Sequence, residues 1–347
     1  MLYLDANATE APRPEAVAAA ASGLWMTGNP SSVHGQGRAA RRLLENARDG
    51  LAARLGVAPA QLVFTAGGTE ANALALHGFG TGRRLLAGAT EHAAIRAFSH
   101  TPIPVLADGT LDLDALRCLL DGPPALVATM AANNETGTLH PLADIFALCR
   151  GAGAHCHVDA VQVAGRVSIP AGWDSLAISG HKLGGPMGAG ALLLAPGLHP
   201  AALVAGGGQE RGRRGGTEPL PAILGMAAAA PPAALASLRD AIEAGLPAWV
   251  IVAGQSAPRL PNTSQLVLPG VAAERQVMWL DQAGICVSAG AACSSGRVAR
   301  SHVQEAMGFG AAAGCGIRVS LPWNAPADAA AQFLAAYRVM TVRLTPG

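Results

Sequence analysis

The apolar positions of this chain fall in short runs, each closed by small or polar residues. "QLVFTAG" (61–67), "RLLAGA" (84–89), "ALVATMAA" (125–132), "HCHVDA" (155–160), "SLAISG" (175–180) and "GALLLAP" (190–196) have the length and content of strands. Between them, "GTEANALALHGF" (68–79), "HAAIRAFS" (92–99) and "PLADIFALCRGAG" (141–153) read as helices. Strand and helix in alternation predict an α/β fold with a largely parallel sheet covered on both faces. Such sheets bind ligands at the carboxyl ends of their strands. The stretch "AAAAPPAALASLRDAIEAGLPAW" (227–249), with its proline pair and alanine-rich helix, reads as the passage into a second, smaller domain.

A length of 347 residues exceeds one ordinary core and agrees with that division. Half of the residues are hydrophobic, but 43 glycines and 24 prolines imply many tight turns, so the chain reads as folded and loop-rich. A net charge of +1 without a long basic run argues against a nucleic-acid partner. The segment "MLYLDANATEAPRP" lacks the basic and apolar blocks of a secretory signal, and no stretch of about 18 residues is apolar enough to span a membrane. A cytoplasmic location is therefore expected. The six cysteines, at 118, 149, 156, 286, 293 and 315, form no CxxC pair and are expected as thiols. His155, Cys156 and His157 adjoin one another, but neighbours on a strand point to opposite faces, so no metal site is expected there.

Chemistry collects at the predicted strand ends. Gly67, Gly68 and Thr69 allow a tight turn into a helix whose free amides favour an anion, although such a turn also serves as an ordinary N-cap. Asp159 ends the fourth strand, as a site carboxylate or a helix cap. Lys182 follows the fifth, among Ser179, Gly180, His181, Gly184 and Gly185, small neighbours that leave room for a flat group beside the amine. A lysine, a carboxylate and an anion cradle are what pyridoxal phosphate asks of a protein. In "VSAGAACSSG" (287–296), Cys293 stands among small residues, where a packed structural thiol is not expected.

The segments "LDANAT", "NPSSVHGQGR", "VFTAGGTEANALAL", "TEHAAI", "MAANNETGT", "HVDAVQ", "SGHKLGGPMGAGAL", "GGGQERGRRGGT" and "SAGAACSSG" resemble, in this order, the motifs of the cysteine desulfurases. These are a branch of the class V aminotransferases with the aspartate aminotransferase fold, fold type I of the pyridoxal-phosphate enzymes. The resemblance implies a large cofactor-binding domain at 13–235 and a small α+β domain from 1–12 and 236–347 that carries the cysteine loop. It implies that Lys182 binds pyridoxal 5'-phosphate covalently, that Asp159 pairs with the pyridine nitrogen and that His92 stacks on the ring. Asn134 and Gln162 match residues near the ring oxygen, and Gly68, Thr69, Ser179 and His181 match the phosphate site. Thr217 matches a phosphate ligand given by the other subunit, which implies a homodimer. Arg318 matches the residue that holds the substrate carboxylate, and Asn7, Asn29, His34 and Asn134 are expected around the substrate.

The implied activity is the removal of sulfur from L-cysteine, giving L-alanine and a persulfide on Cys293 that passes to an acceptor protein, such as an iron-sulfur scaffold. By the same reasoning Cys293 is the one residue able to ligate a transferred cluster. Glu10, Gln209 and Pro322 depart from the family's usual threonine, histidine and glycine. A selenocysteine lyase, another class V enzyme or a non-catalytic scaffold are the alternatives, and a transaminase would not require Cys293.

Overall fold

The computed structural model describes residues 1–229, 235–290 and 300–344. Its strands are β1 (Leu2–Tyr3), β2 (Leu62–Thr65), β3 (Arg84–Gly88), β4 (Thr101–Ile103), β5 (Ala125–Met130), β6 (His155–Asp159), β7 (Ser175–Ser179), β8 (Gly190–Leu194), β9 (Ile251–Ala253), β10 (Thr263–Val267), β11 (Ile285–Cys286) and β12 (Gly316–Ser320). Its helices are α1 (Pro14–Leu24), α2 (Gly35–Leu55), α3 (Gly68–Gly80), α4 (Ala93–Arg96), α5 (Leu113–Leu120), α6 (Leu142–Gly151), α7 (Leu220–Ala228), α8 (Ala236–Ala244), α9 (Ala273–Gln282), α10 (His302–Ala306) and α11 (Ala329–Leu344).

The six strands read from the sequence form the main sheet together with β4, in the order β2-β8-β7-β6-β5-β3-β4. β8 runs antiparallel to both of its neighbours, and the remaining pairings are parallel. Both faces are covered, which is why the strands read as continuous apolar runs. Val63, Ala87, Ala128, Ala177 and Leu192 meet Leu74, Ala75 and Phe79 of α3 on one face. Leu62, Phe64, Leu86, Val127, Val158, Ile178 and Leu193 meet Leu44, Leu51, Ile145, Phe146 and Ile223 of α2, α6 and α7 on the other. The sequence did not announce β4, which has three residues including Pro102, a residue tolerated at a sheet edge where no donor is needed. The helix expected at 92–99 is a single turn, α4, because Thr101 must already be in register with Leu86 of β3.

A second core lies under the sheet β12-β10-β9 and the helices α8, α9 and α11. Leu2 and Leu4 pack into it with Phe333, Tyr337 and Met340, and β1 pairs in parallel with β11. The first residues of the chain are therefore held by its last third.

One buried ion pair fixes the glycine-rich segment after β8. Arg48 of α2 is 4 % exposed and donates to both carboxylate oxygens of Glu210, at 2.8 and 2.6 Å, while the Phe64 amide donates to the same group at 2.9 Å. Glu210 and Arg211 take left-handed backbone conformations, φ 47° and 59°, a strained choice for residues with side chains. Removing one member of such a pair leaves an uncompensated buried charge, so Arg48→Leu is expected to cost about 3–5 kcal/mol. Urea unfolding of the variant should show a clearly lower midpoint; an unchanged midpoint would contradict this role.

Candidate active site

The parallel strands end at one edge of the main sheet, and the residues just beyond them form a cluster. β2 leads into Gly67 and Gly68, β3 leads towards His92, β5 leads towards Asn134, β6 ends on Asp159, and β7 ends on Ser179 before the turn that carries Lys182. Gly68 must be glycine for packing reasons, since a Cβ would stand 2.6 Å from Val161 Cγ2 and 3.4 Å from Ser179 Cβ. The start of α3 is thereby pressed against the ends of β6 and β7. Thr69, the next residue, is exposed.

Asp159 is 7 % exposed, and both of its oxygens are engaged. Oδ1 accepts from the Val161 amide at 3.0 Å and Oδ2 from Asn72 Nδ2 at 2.7 Å. Burial raises the carboxyl pKa, while those two donors and the nearby charges of His92 and Lys182 pull against it. The Lys182 amine donates to the carbonyl of Asn7 and, at 2.9 Å, to that of Ala8. Burial, reinforced by the positive charges of Arg318 and Arg166, lowers its pKa from 10.5 to about 8. At neutral pH the free amine is then about two orders of magnitude more abundant than in an ordinary lysine.

Arg318 on β12 is buried. Its Nη2 donates to Asp5 Oδ1 at 2.7 Å and its Nη1 to the Asn134 carbonyl at 3.1 Å, while Nε has no partner among the described residues. Gln162 donates through Nε2 to the Asn7 carbonyl at 3.0 Å, and its Oε1 is likewise buried without a partner. His92 caps α4, its Nδ1 accepting from the Ala94 amide at 3.1 Å, and its exposed ring keeps Nε2 available. His181 Nδ1 lies 3.2 Å from Thr9 Oγ1, and burial lowers its pKa to about 4, so the ring is neutral.

Asn7 enters the cluster through its backbone. It is 1 % exposed, and its Nδ2 is spent on the Asn134 carbonyl at 3.1 Å and on Thr263 Oγ1 at 2.9 Å. What it gives the cluster is its backbone carbonyl. Asn29 and His34 are exposed and make local caps: Asn29 Oδ1 accepts from the Ser31 amide at 2.8 Å and His34 Nδ1 from the Gly37 amide at 3.3 Å. Neither makes a polar contact with the Lys182 cluster among the described residues. Thr217 is exposed, and Arg214, shortly before it, pairs with Glu70 on the first turn of α3 at 2.8 Å. Cys293 and the segment around it lie outside the described residues.

Two of the three departures make local hydrogen bonds, and nothing in the structure explains Pro322. Glu10 is buried, receives Arg166 Nη2 at 2.7 Å, and accepts the Ala11 and Trp323 amides at 2.9 and 3.2 Å. It thus ties the N-terminal segment to Arg166, after β6, and to Trp323, after β12. Gln209 Oε1 accepts from the Gly216 amide at 3.1 Å. Beside Pro322, the indole of Trp323 donates to the Ala11 carbonyl at 2.8 Å.

The sequence reading missed Asn72, His157 and Ser175, which stand behind Asp159. His157 Nε2 lies 2.8 Å from Asn72 Oδ1, and His157 Nδ1 lies 2.9 Å from Ser175 Oγ. A signal existed: in "HVD" the histidine and the aspartate are two apart on a strand and share a face. Asp5, the partner of Arg318, was missed as well.

The aminotransferase class-V profile matches residues 2–332. A cysteine desulfurase of Cereibacter sphaeroides is 43% identical, the match covering 94% of this chain and 92% of that protein. The solved NifS-like protein of Rickettsia africae is 32% identical with a TM-score of 0.91, covering 98% of this chain and 99% of that one. SspA, solved in complex with cysteine, is 27% identical with a TM-score of 0.83, covering 93% and 99%. With its lysine, aspartate and arginine gathered at the carboxyl edge of a mostly parallel sheet, the chain belongs to the class-V aminotransferases, a family of pyridoxal-phosphate enzymes, and within them to the cysteine desulfurases.

Proposed function

We infer that this protein takes sulfur from L-cysteine, leaving L-alanine and a persulfide on Cys293. The observation that carries this reading is the desolvated Lys182 amine standing in the field of Arg318, whose Nε is buried without a partner. A nucleophilic amine next to an unspent guanidinium donor suits an amino-acid substrate, whose carboxylate the guanidinium can bind.

The residues present fit pyridoxal phosphate. Gln162 Oε1 is an acceptor in need of a donor, and a Cβ at Gly67 would meet nothing within 4 Å. Lys182 would hold the cofactor covalently, Asp159 its pyridine nitrogen, His92 its ring, Gln162 and Asn134 its ring oxygen, and Gly68, Thr69, Ser179 and His181 its phosphate. When bound, the cofactor supplies an electron sink that makes the substrate α-proton acidic.

The chain's own residues account for the remaining demands. Asp159, buried and fed by two donors, supplies fixed negative charge at the closed end of the site. Lys182, its pKa lowered towards neutrality, can release a proton and take one back near pH 8. Arg318 orients the substrate by its carboxylate. The Cys293 thiolate attacks the substrate sulfur, the carbon–sulfur bond breaks, a sulfur–sulfur bond forms, and protonation of the carbon yields alanine. The persulfide then passes to an acceptor protein, for which an iron-sulfur scaffold is our proposal, and the cytoplasm is our proposed location. A homodimer in which Thr217 completes the partner's phosphate site agrees with the exposed Leu24, Trp25, Val33 and Met187, which one chain leaves uncovered.

Three outcomes are expected. Incubated with L-cysteine and a reductant, the protein should release alanine and sulfide in equal amounts, and Cys293→Ala should release neither while keeping the cofactor's visible absorbance; alanine at the full rate from that variant would remove the mechanism. Cofactor-free protein should take up pyridoxal phosphate at a rate that rises with pH through about 8, the sign expected when only the deprotonated amine reacts. A midpoint near 10.5 would contradict the desolvated lysine. Light scattering should give twice the chain mass; a monomer that is fully active would exclude the shared site.

A further inference from the structure

Asp159 is the inner end of a hydrogen-bonded chain that runs along the α3 face of the main sheet, between β6, β7 and α3. Its Oδ2 accepts from Asn72 Nδ2 at 2.7 Å, and Asn72 Oδ1 faces His157 Nε2 at 2.8 Å. His157 Nδ1 faces Ser175 Oγ at 2.9 Å, and Ser175 Oγ faces His155 Nε2 at 3.4 Å. His155 stacks on Phe79 with ring centroids 4.2 Å apart, and its Nδ1 lies 3.8 Å from Asp174 Oδ2. There the chain reaches a cleft of about 310 Å³ that Arg83, Arg150 and Asp174 also line. Asn72 and His157 are almost wholly buried.

The donor and acceptor roles along this chain are fixed by its end. A carboxylate oxygen can only accept, so Asn72 presents its NH2 to Asp159 and its carbonyl oxygen to His157. That oxygen can also only accept, so the His157 proton is on Nε2 and Nδ1 is a bare lone pair. Ser175 must then donate its hydroxyl proton to Nδ1, and its oxygen is left to accept from His155 Nε2. Every donor points towards Asp159. Burial holds both rings neutral, His157 at a pKa of about 3 and His155 at about 4, which is the state the chain requires. Chains aligned in one direction polarise one another and strengthen the terminal bond.

We propose that Asn72 and His157 are positioning residues for the cofactor, forming with Ser175 and His155 a one-way relay of donors that fixes the plane of the Asp159 carboxylate and keeps it anionic. The proposal rests on the reading of Asp159 as the pyridine partner. Among the described residues, the only opposite charges acting on Asp159 are His92 and Lys182, so from behind it is held by neutral donors. The charged and titratable groups that face it otherwise are Lys182 and His92 on the cofactor side and the buried Glu91, which opposes its ionisation. The Val161 amide and, through Asn72, the relay offset part of that burial, since hydrogen bonds given to the charged form favour it.

The test uses the holoprotein. For Asn72→Ala, His157→Leu, His157→Gln and Ser175→Ala, two quantities are read: the dissociation constant for pyridoxal phosphate and the pH titration of the bound cofactor's visible absorbance. Asn72→Ala should weaken binding at least about tenfold, the loss of one charge-assisted hydrogen bond, and move the titration. His157→Leu should do the same to a lesser degree, and His157→Gln, which can still donate to Asn72 Oδ1, should recover most of it. In an Asp159→Asn background the Asn72→Ala effect should vanish, because the relay acts only through that carboxylate. An equal loss in both backgrounds, or parent-like affinity and titration in folded Asn72→Ala, would overturn the proposal. If the buried replacements do not fold, Ser175→Ala, which removes one oxygen, decides it: an unmoved titration is a refutation. A parent protein that takes up no pyridoxal phosphate would overturn the cofactor reading instead, a distinguishable failure.

Discussion

The backbone carbonyl of Asn7 accepts from Lys182 and Gln162, beside the main sheet, while its amide and most of its side-chain contacts reach the residues of β10 and β12 and their neighbour Asn262. Its amide donates to Ser320 Oγ at 3.0 Å, its side chain donates to Thr263, and Asn262 donates to its Oδ1 at 3.3 Å. A buried peptide must find partners for its polar groups, and here they come from two cores at once. The relative placement of the two cores therefore sets where the lysine amine rests. Glu10 repeats the arrangement by holding Arg166 on one side and Trp323 on the other.

The electrostatics of the site follow from that placement. Lys182 shares a small volume with Arg318 and Arg166, and the carboxylates near it, Asp5 and Asp159, each have a nearer obligation, as Glu10 has to Arg166. Asp5 is claimed by Arg318, Glu10 by Arg166, and Asp159 by the donors behind it. The amine is left with carbonyls alone, which solvate it without neutralising it. That is a physical origin for a lysine poised near neutral pH without a dedicated base beside it.

The main sheet was legible because its strands are buried on both faces and so read as unbroken apolar runs. β4 was not, because an edge strand of three residues containing proline carries no such signature. Lys182, Asp159 and the Gly67–Gly68 turn were legible from their positions at strand ends. Asn29 and His34 were expected near the substrate from motif likeness alone, and within this chain they are helix and turn caps. Asn7 was expected around the substrate, and what it offers the Lys182 amine is its carbonyl, a detail that a sequence cannot carry, since backbone groups have no letter. Asn72 and His157 went unseen as a pair because one lies on α3 and the other on β6, 85 positions apart, and only the fold brings them together.

The order in which the chain is made gives the Asn7 contact a further meaning. Residues 2–7 leave the ribosome well before the partners that seat them, β11 and Ser320, the latter 313 positions after Asn7. All strands of the main sheet, which ends in sequence at Leu194, are made well before then. Until the last third is synthesised, Lys182 and Gln162 lack the carbonyl that seats them. The nascent enzyme passes through a stage in which its scaffold is built and its amine is unplaced, so that competence arrives in one late step.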